Sequence, residues 1–241
     1  MSIIELLPSR AVLIRLNGVE IHWYGVLYVA AFWLAWWWLP KLQRYRSLQL
    51  SRDEWTVIVA AGAAGVLIGG RLGYILFYEP AFYFHNPAEI FAIWRGGMSS
   101  HGGFIGVGVA LCWAARHLKT PLVVLLDVVA VPVAIGLALG RFGNWLNSEL
   151  YIGNVALLDA AVHLSVAGVL FSLLQTRKTP GIVVAVFLVL YSIQRFIFEE
   201  FRVLEWPEMF GVTRGQILTI PVLLLGGWLL YQQVANSKRL E

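Results

Sequence analysis

Two glycine-rich segments carry an arginine or a histidine that could bind or transform an anionic group. Residues 69–74 read Gly-Gly-Arg-Leu-Gly-Tyr, with Arg71 among the glycines, and residues 94–103 read Trp-Arg-Gly-Gly-Met-Ser-Ser-His-Gly-Gly. Histidine accepts protons near neutral pH, so His101 is a candidate general base. Arginine binds phosphate or carboxylate through a planar set of donors. The plainer alternatives are a structural histidine and an arginine that pairs with a carboxylate.

Two further segments combine arginine with amides and carboxylates. Residues 140–149 read Gly-Arg-Phe-Gly-Asn-Trp-Leu-Asn-Ser-Glu. If a helix continues through this segment, Arg141, Asn144 and Ser148 share one face, and these groups could hold a phosphate and a glycerol. The alternative is capping and solvation of a helix end.

Residues 191–202 contain Arg195 and Glu199 at i,i+4 spacing, followed by Arg202 one to two turns later. The sequence therefore offers a second arginine–carboxylate group near a helix end. The alternative is an ion pair that only lets an apolar helix tolerate its charges.

The composition predicts that membrane helices position these residues. The 241-residue chain is 59% hydrophobic and 13% charged, whereas soluble domains carry about 25% charged residues. This excludes an ordinary soluble enzyme, and the single cysteine, Cys112, excludes an internal disulfide. We predict an all-α, polytopic membrane bundle of about seven transmembrane helices. The predicted spans lie near residues 22–39, 56–78, 102–116, 121–139, 156–175, 181–198 and 216–234.

The distribution of basic residues predicts the orientation of the bundle. Lysines and arginines accumulate in cytoplasmic loops. One side of the predicted bundle holds ten basic residues, which include all four lysines. The other side holds eight arginines and no lysine, and it includes Arg141, Arg195 and Arg202. We therefore place the N-terminus outside and the C-terminus in the cytoplasm, with an anion-binding face on the outer side, although some of these arginines could simply pair with nearby glutamates.

The chain is predicted to form a single membrane-embedded domain over residues 1–241. It contains no long linker, low-complexity tract or convincing repeat. Residues 1–18 are expected to be an interfacial segment, and residues 79–101 a re-entrant or amphipathic outer loop.

The motifs resemble those of the prolipoprotein diacylglyceryl transferase family. Residues 69–74, 94–103 and 140–149 are similar to family motifs, as are His22-Trp23-Tyr24-Gly25, the Arg-x-x-x-Glu-x-x-Arg pattern of residues 195–202, and Arg-Gly-Gln-Ile-Leu-x-Ile-Pro at residues 214–221. The resemblance follows most of the chain in order.

The resemblance implies an enzyme of the bacterial inner membrane with its active site toward the outer leaflet. Such enzymes take phosphatidylglycerol and transfer its diacylglyceryl group to the thiol of a lipobox cysteine in a prolipoprotein. A thioether forms and glycerol-1-phosphate leaves. No metal, soluble cofactor or nucleic acid is expected to take part.

The resemblance also implies roles for individual residues. His101, Arg141, Arg195 and Glu149 are the candidate catalytic residues, with His101 as the base and the two arginines as clamps for the phosphate. Glu149 and Glu199 would orient the arginines, Asn144 and Asn147 would bind glycerol hydroxyls, and Tyr24 would border the pocket. The other candidate substrate-binding residues are Arg71, Gly97, Ser99, Gly102 and Arg202. Alternatively, an arginine–carboxylate pair deprotonates the thiol and His101 positions the lipid.

The chain departs from the family pattern after Glu149. Family members have a sizeable extracytoplasmic insertion there, followed by a His-Pro-Ser-Gln-x-Tyr-Glu motif, and this chain has neither. Asp159 and His163, at i,i+4 spacing, are candidate local replacements, or else a polar pair tolerated within the bundle. The alternatives for the function are therefore a paralogue with a different acceptor, or a non-catalytic protein that binds lipid or signal peptides. A transporter is disfavoured because no interrupted spans recur in matching halves.

Overall fold

The computed structural model describes residues 11–16, 19–93, 96–203 and 211–237. These residues form two compact units, which are described separately. Unit 1 comprises residues 1–48 and 126–241, and unit 2 comprises residues 49–125. The prediction of a single domain stays a prediction.

The described residues are overwhelmingly helical, as expected for an all-α membrane protein. The α-helices are α1 (Trp23–Leu42), α2 (Arg52–Phe77), α3 (Pro80–His85), α4 (Ser100–His117), α5 (Leu122–Asn147), α6 (Val155–Thr176), α7 (Ile182–Glu199) and α8 (Arg214–Ser237). Two 3₁₀ helices cover Gln43–Arg46 and Pro87–Phe91. Strands β1 (Val12–Leu16) and β2 (Val19–His22) form a short antiparallel hairpin before α1.

Each of the seven predicted spans coincides with a different helix. These helices are α1, α2, α4, α5, α6, α7 and α8. Five described helices are long and apolar enough to cross a membrane: α2, α5, α6, α7 and the 214–233 part of α8. Helices α1 and α4 are not in this set; α1 is rich in tryptophan and tyrosine, and α4 begins with Ser-His-Gly-Gly. The membrane fold is thus confirmed, while the orientation stays a prediction.

The helices expose large apolar side chains, as membrane helices do. Val29, Ile68 and Leu224 are 70%, 60% and 67% exposed. Soluble proteins rarely expose contiguous apolar surfaces, whereas lipid chains solvate such side chains well. The fully buried core of unit 1 includes Leu39, Leu42, Val128, Val131, Leu170, Leu174 and Val183.

Helices α2 and α4 of unit 2 pack through glycines spaced four residues apart. Gly65, Gly69 and Gly73 on α2 face Gly102 and Gly106 on α4. A Cβ added to Gly69 would lie 2.7 Å from Cα of Gly106, and one added to Gly73 would lie 2.6 Å from Cα of Gly102. Small residues at this spacing allow membrane helices to bring their backbones together. Any side chain at these positions would force the two helices apart.

Asp127 lies near the start of α5 and links three helix ends of unit 1. The carboxylate is fully buried and lies 2.8 Å from Nε of Arg46. It also accepts hydrogen bonds from the backbone N–H groups of Gly181 and Val184 at the start of α7. Arg46 donates to two backbone carbonyls at the end of α6. A buried carboxylate requires such partners, so we assign Asp127 a structural role.

The segments predicted to lie at the membrane interface are partly described. Residues 12–16 of the first segment form a strand, while residues 1–10 and 17–18 lie outside the described residues. The outer loop contains α3 and the second 3₁₀ helix, and residues 94–95 lie outside the described residues. The interfacial and re-entrant assignments stay predictions.

Candidate active site

Helix α5 continues to Asn147 and so carries the polar residues of the 140–149 motif. Nη1 of Arg141 donates to Oδ1 of Asn144 at 3.2 Å. The side-chain amides of Asn144 and Asn147 both donate to Oε1 of Glu149, each at 3.1 Å. Glu149 therefore reaches Arg141 through Asn144, and the expectation that Glu149 orients this arginine stays a prediction.

The carboxylate that contacts Arg141 directly is Asp159 on α6. Oδ2 of Asp159 lies 2.9 Å from Nε of Arg141 and accepts a 2.7 Å hydrogen bond from the Tyr151 hydroxyl. Oδ1 accepts a 2.5 Å hydrogen bond from Nε2 of Gln194 and lies 3.7 Å from Nε2 of His163. Asp159 is only 2% exposed, so these contacts replace water around its charge.

The Tyr151 hydroxyl keeps its proton at neutral pH. Burial raises the pKa of Tyr151 to about 12; the Arg141 guanidinium opposes this shift and the Asp159 carboxylate adds to it. Tyr151 is therefore available as a hydrogen-bond donor to Asp159. Its backbone pairs with that of Arg202, so that the segment after α5 lies against the segment after α7.

Arg195 and Glu199 form the ion pair that their spacing on α7 predicts. Nη1 of Arg195 lies 2.9 Å from Oε2 of Glu199, and Nη1 of Arg202 donates to the same oxygen at 3.0 Å. Thr213, just before α8, donates to Oε1 of Glu199 at 3.0 Å. One carboxylate therefore serves two arginines, and all of its contacts are inside unit 1.

Gly215 allows α8 to approach this pair closely. A Cβ at this position would lie 2.8 Å from Nη2 of Arg195 and would also contact Oε1 of Glu199. A larger residue would therefore displace one of the two charged groups.

The two arginine groups converge on one narrow crevice in unit 1. The crevice is too narrow to admit a water molecule. Its lining residues come from α5, the following loop, α6 and α7: Arg141, Tyr151, Asp159, His163, Tyr191, Gln194, Arg195 and Phe198. We call Arg141, Asp159, Arg195, Glu199 and Arg202 the arginine cluster.

The arginine cluster has a surplus of positive charge. Three guanidinium groups face the two carboxylates of Asp159 and Glu199. In addition, Nε of Arg195 and Nε of Arg202 are buried donors without a hydrogen-bond partner among the described residues. Buried donors in proteins are nearly always satisfied, so this arrangement suits an anionic ligand with several acceptor oxygens.

Tyr24 lies beside the same end of α5. A Cβ on Gly143 would come 2.7 Å from Cδ2 of Tyr24, so the ring packs against the backbone of α5 one turn before Asn147. The Tyr24 and Tyr28 rings also contact each other at a centroid distance of 5.0 Å.

The remaining predicted site residues belong to unit 2. His101 is buried in the first turn of α4. Ser99 caps that helix, because its hydroxyl accepts a hydrogen bond from the N–H of Gly102. Gly102 lies at the α2–α4 contact, where an added Cβ would contact the backbone of Gly69.

Arg71 is occupied by backbone carbonyls. Its Nε donates to Ile90, and its Nη1 donates to Gly96 and Gly97 at 2.6 and 3.1 Å. Its Nη2 donates to Glu89 at 2.5 Å. Gly97 has a φ of +75°, and a Cβ there would come 2.7 Å from Nη1 of Arg71. Arg71 therefore organises the loop that precedes His101, whereas a direct contact with substrate stays a prediction.

Sequence comparison places this architecture in a known family. A family profile described as prolipoprotein diacylglyceryl transferase matches residues 11–232. The chain belongs to this family. The diacylglyceryl transferase profile covers every residue of the arginine cluster and the motif around His101, so the family resemblance of the sequence is confirmed.

Curated bacterial relatives carry the name phosphatidylglycerol–prolipoprotein diacylglyceryl transferase. The relative from Acinetobacter baumannii strain SDF is 38% identical over 91% of this chain and 91% of its own length. The relative from Geobacter sulfurreducens is 35% identical over 89% and 92% of the two chains. The relative from Bartonella bacilliformis is 31% identical over 93% and 92%.

The diacylglyceryl transferase of Acinetobacter contains residues that this chain lacks. The alignment runs over 255 positions, which exceeds the 241 residues of the present chain. This agrees with the expectation of a shortened family member.

Sequence reasoning missed several residues that the structure places around the arginine cluster. Asp159 was considered only as a local replacement, and Tyr151, Gln194 and Thr213 were not considered at all. A carboxylate in the middle of an apolar span requires a partner, so Asp159 carried a usable signal. Gln194 precedes Arg195 in a span and carried a weaker signal of the same kind. Tyr151 and Thr213 lie in loops and carried none.

Proposed function

We propose that the protein transfers the diacylglyceryl group of phosphatidylglycerol to the thiol of a lipobox cysteine in a prolipoprotein and releases glycerol-1-phosphate. The names of its relatives support this activity. The structural observation that carries the proposal is the buried arginine cluster, with three guanidinium groups against two carboxylates. One surplus positive charge matches the single negative charge of a phosphodiester.

Arg141 and Arg195 act as the phosphate clamp in this proposal. The unpaired Nε donor of Arg195 is available to a phosphate oxygen. Nη1 of Arg141 donates to Asn144, whereas its Nε, although 2.9 Å from Oδ2 of Asp159, is a buried donor without a hydrogen-bond partner among the described residues. Since the crevice admits no water here, the phosphate must bind at its edge or the side chains must separate. Donors held in a dry site stabilise developing negative charge strongly.

The reaction is a substitution at the glycerol carbon of the diacylglyceryl group. A sulfur–carbon bond forms as the carbon–oxygen bond to the phosphate breaks. The electron pair of that bond leaves with glycerol-1-phosphate, where Arg141 and Arg195 stabilise the negative charge. The thiol proton passes to a base, because the thiolate is the reactive form of cysteine.

His101 is the proposed base. It lies at the start of α4, after a loop that Arg71, Gly97 and Ser99 hold in place. Gly102 lets the helix carrying His101 pack directly on α2. In the alternative mechanism an arginine–carboxylate pair removes the proton and His101 positions the lipid.

The glycerol of the headgroup is proposed to bind beside Tyr24, Asn144 and Asn147, with Glu149 holding both amides. Asn147 Oδ1 is a buried acceptor without a partner among the described residues, which suits a hydroxyl donor. Glu199 and Arg202 complete the phosphate side of the site.

The proposed location is the bacterial inner membrane, with the arginine cluster toward the outer leaflet. All four lysines fall on the opposite side of the predicted bundle, as expected for a cytoplasmic face. A cysteine scan with a membrane-impermeant thiol reagent in a Cys112→Ser background would check this. We expect the reagent, added from the periplasmic side, to label a cysteine introduced at position 148 but not one introduced at position 178. The opposite pattern would reverse the orientation.

A transfer assay tests the activity. Purified protein in micelles containing phosphatidylglycerol would be given a lipobox peptide, or the same peptide with serine in place of cysteine. We expect the cysteine peptide alone to gain the mass of a diacylglyceryl group, with release of glycerol phosphate. Phosphatidylglycerol binding without any mass gain would contradict the lipobox assignment and favour the other-acceptor or binding-only alternatives.

A further inference from the structure

We propose that Asp159 is a positioning residue for the phosphate clamp. This inference rests on the proposed function. Asp159 does not touch substrate in the proposal; it acts by fixing the orientation of Arg141. The contact is an ion pair of 2.9 Å between Oδ2 of the buried Asp159 and Nε of the half-buried Arg141.

No other carboxylate among the described residues takes this role. Glu149 is exposed and reaches Arg141 only through the Asn144 amide. Glu199 is already shared by Arg195 and Arg202. Asp159 is therefore the counter-charge that holds Arg141 at the crevice.

Asp159 also couples the two halves of the clamp. Its backbone carbonyl and its Oδ1 both accept hydrogen bonds from the side chain of Gln194. Gln194 directly precedes Arg195 on α7, while Arg141 lies on α5. The Asp159 carboxylate on α6 thus contacts both the Arg141 side chain on α5 and the turn of α7 that carries Arg195. These two elements present the two guanidinium groups of the clamp.

The geometry requires a carboxylate rather than an amide at this position. Tyr151 and Gln194 donate hydrogen bonds to the carboxylate of Asp159, and the Arg141 guanidinium forms an ion pair with it. An asparagine would keep the volume but would turn an NH₂ group toward at least one of these donors. It would also raise the surplus charge of the arginine cluster from one to two.

The expected consequence is a loss of catalysis that depends on Arg141. A displacement of a clamp by about 1 Å can reduce the rate about 100-fold. We expect Asp159→Asn to lower kcat/KM by about two orders of magnitude, and Asp159→Glu, which retains the charge, to recover part of the loss.

A matched control separates positioning from folding. Asp127 is also a fully buried aspartate of unit 1 that pairs with an arginine, but it lies 14 residues before Arg141 on α5, which is about 21 Å along the helix. Asp127→Asn should lower the melting temperature in detergent while the folded protein keeps its kcat/KM.

A double-mutant cycle with Arg141→Ala provides the decisive test. If Asp159 acts through Arg141, the double variant Arg141→Ala with Asp159→Asn should be no slower than Arg141→Ala alone. The inference is overturned if the double variant loses the product of the two single-variant losses in kcat/KM. It is also overturned if the lower activity of Asp159→Asn is fully explained by a smaller fraction of folded protein, as judged from its melting temperature.

The wild-type protein is measured first in the same transfer assay. If it transfers no diacylglyceryl group to the lipobox peptide, the proposed function fails, and the inference is then tested by phosphatidylglycerol binding in native mass spectrometry. At least tenfold weaker binding by Asp159→Asn than by Asp127→Asn supports the positioning role. Equal binding by the two variants overturns it.

Discussion

Gly215 on α8 packs directly against the guanidinium of Arg195 on α7. A Cβ at Gly215 would come 2.8 Å from Nη2 of Arg195, and it would also contact the carboxylate of Glu199. The absence of a side chain on one helix therefore sets the position of an ion pair on another. This relationship links the 214–221 segment, one of the motifs that resemble the family, to the proposed phosphate clamp.

Gly215→Ala is expected to lower the transfer rate at least tenfold. The added methyl must displace Arg195 or Glu199, and overpacking of this kind costs about 1–3 kcal/mol. Transfer of diacylglyceryl to a lipobox peptide would be measured beside the melting temperature. Gly227→Ala is the matched control, because Gly227 lies on the same helix and a Cβ there would meet nothing within 4 Å. Equal activity of the two variants would contradict the role assigned to Gly215.

Arg141→Ala is expected to lower the transfer rate about 10²–10³-fold, to a residual rate that can still be measured, while the protein remains folded. The variant removes one of the two guanidinium groups that stabilise the leaving phosphate, and a single lost electrostatic donor costs about 10²–10³ in rate. Arg141→Lys should recover little, because lysine cannot reproduce the fork that contacts both Asp159 and Asn144. Peptide mass and glycerol phosphate release would report the result. Near-normal turnover of Arg141→Lys would remove Arg141 from the clamp.

His101→Ala is expected to abolish transfer at neutral pH through loss of the base. General-base catalysis contributes about 10²–10⁴ to a rate. A pH profile provides the sharper check, since raising the pH supplies more thiolate and should partly restore the variant. If His101→Ala instead keeps near-normal turnover at pH 7, the arginine–carboxylate alternative is favoured.

Asp127→Asn is expected to destabilise the protein without changing the chemistry. Removing one charge of a buried ion pair costs about 3–5 kcal/mol, because the remaining charge is left without its partner. Here the uncompensated group would be Arg46, and one of the two N–H groups that donate to Asp127 at the start of α7 would lose its acceptor, because asparagine keeps only one side-chain oxygen. Thermal unfolding in detergent measures the loss. An unchanged melting temperature would show that Asp127 does not hold these helix ends together.

Cys112→Ser is expected to leave both activity and stability nearly unchanged. The residue is partly buried on α4 and lies in no proposed site. An inactive but folded Cys112→Ser protein would instead indicate a covalent intermediate on the enzyme. The transfer assay with the cysteine peptide distinguishes the two outcomes.

The sequence by itself determined the helices and the local spacing of the charged groups. Apolar runs near the length of a bilayer predicted seven helices, and each one is present. The Arg195–Glu199 pair followed from i,i+4 spacing, because the geometry of a single helix fixes which residues share a face. The same argument placed Arg141 and Asn144 together once α5 was known to continue past residue 140.

Only the tertiary structure decided which groups meet across helices. Asp159 rather than Glu149 contacts Arg141, and Arg71 binds loop carbonyls rather than a carboxylate. Periodicity defines the face of each helix, but the rotation and depth of a helix against its neighbours depend on side-chain packing and on close contacts such as those of Gly102 and Gly215. Partners separated by many residues are therefore fixed by the packed bundle, and no local pattern in the chain encodes them.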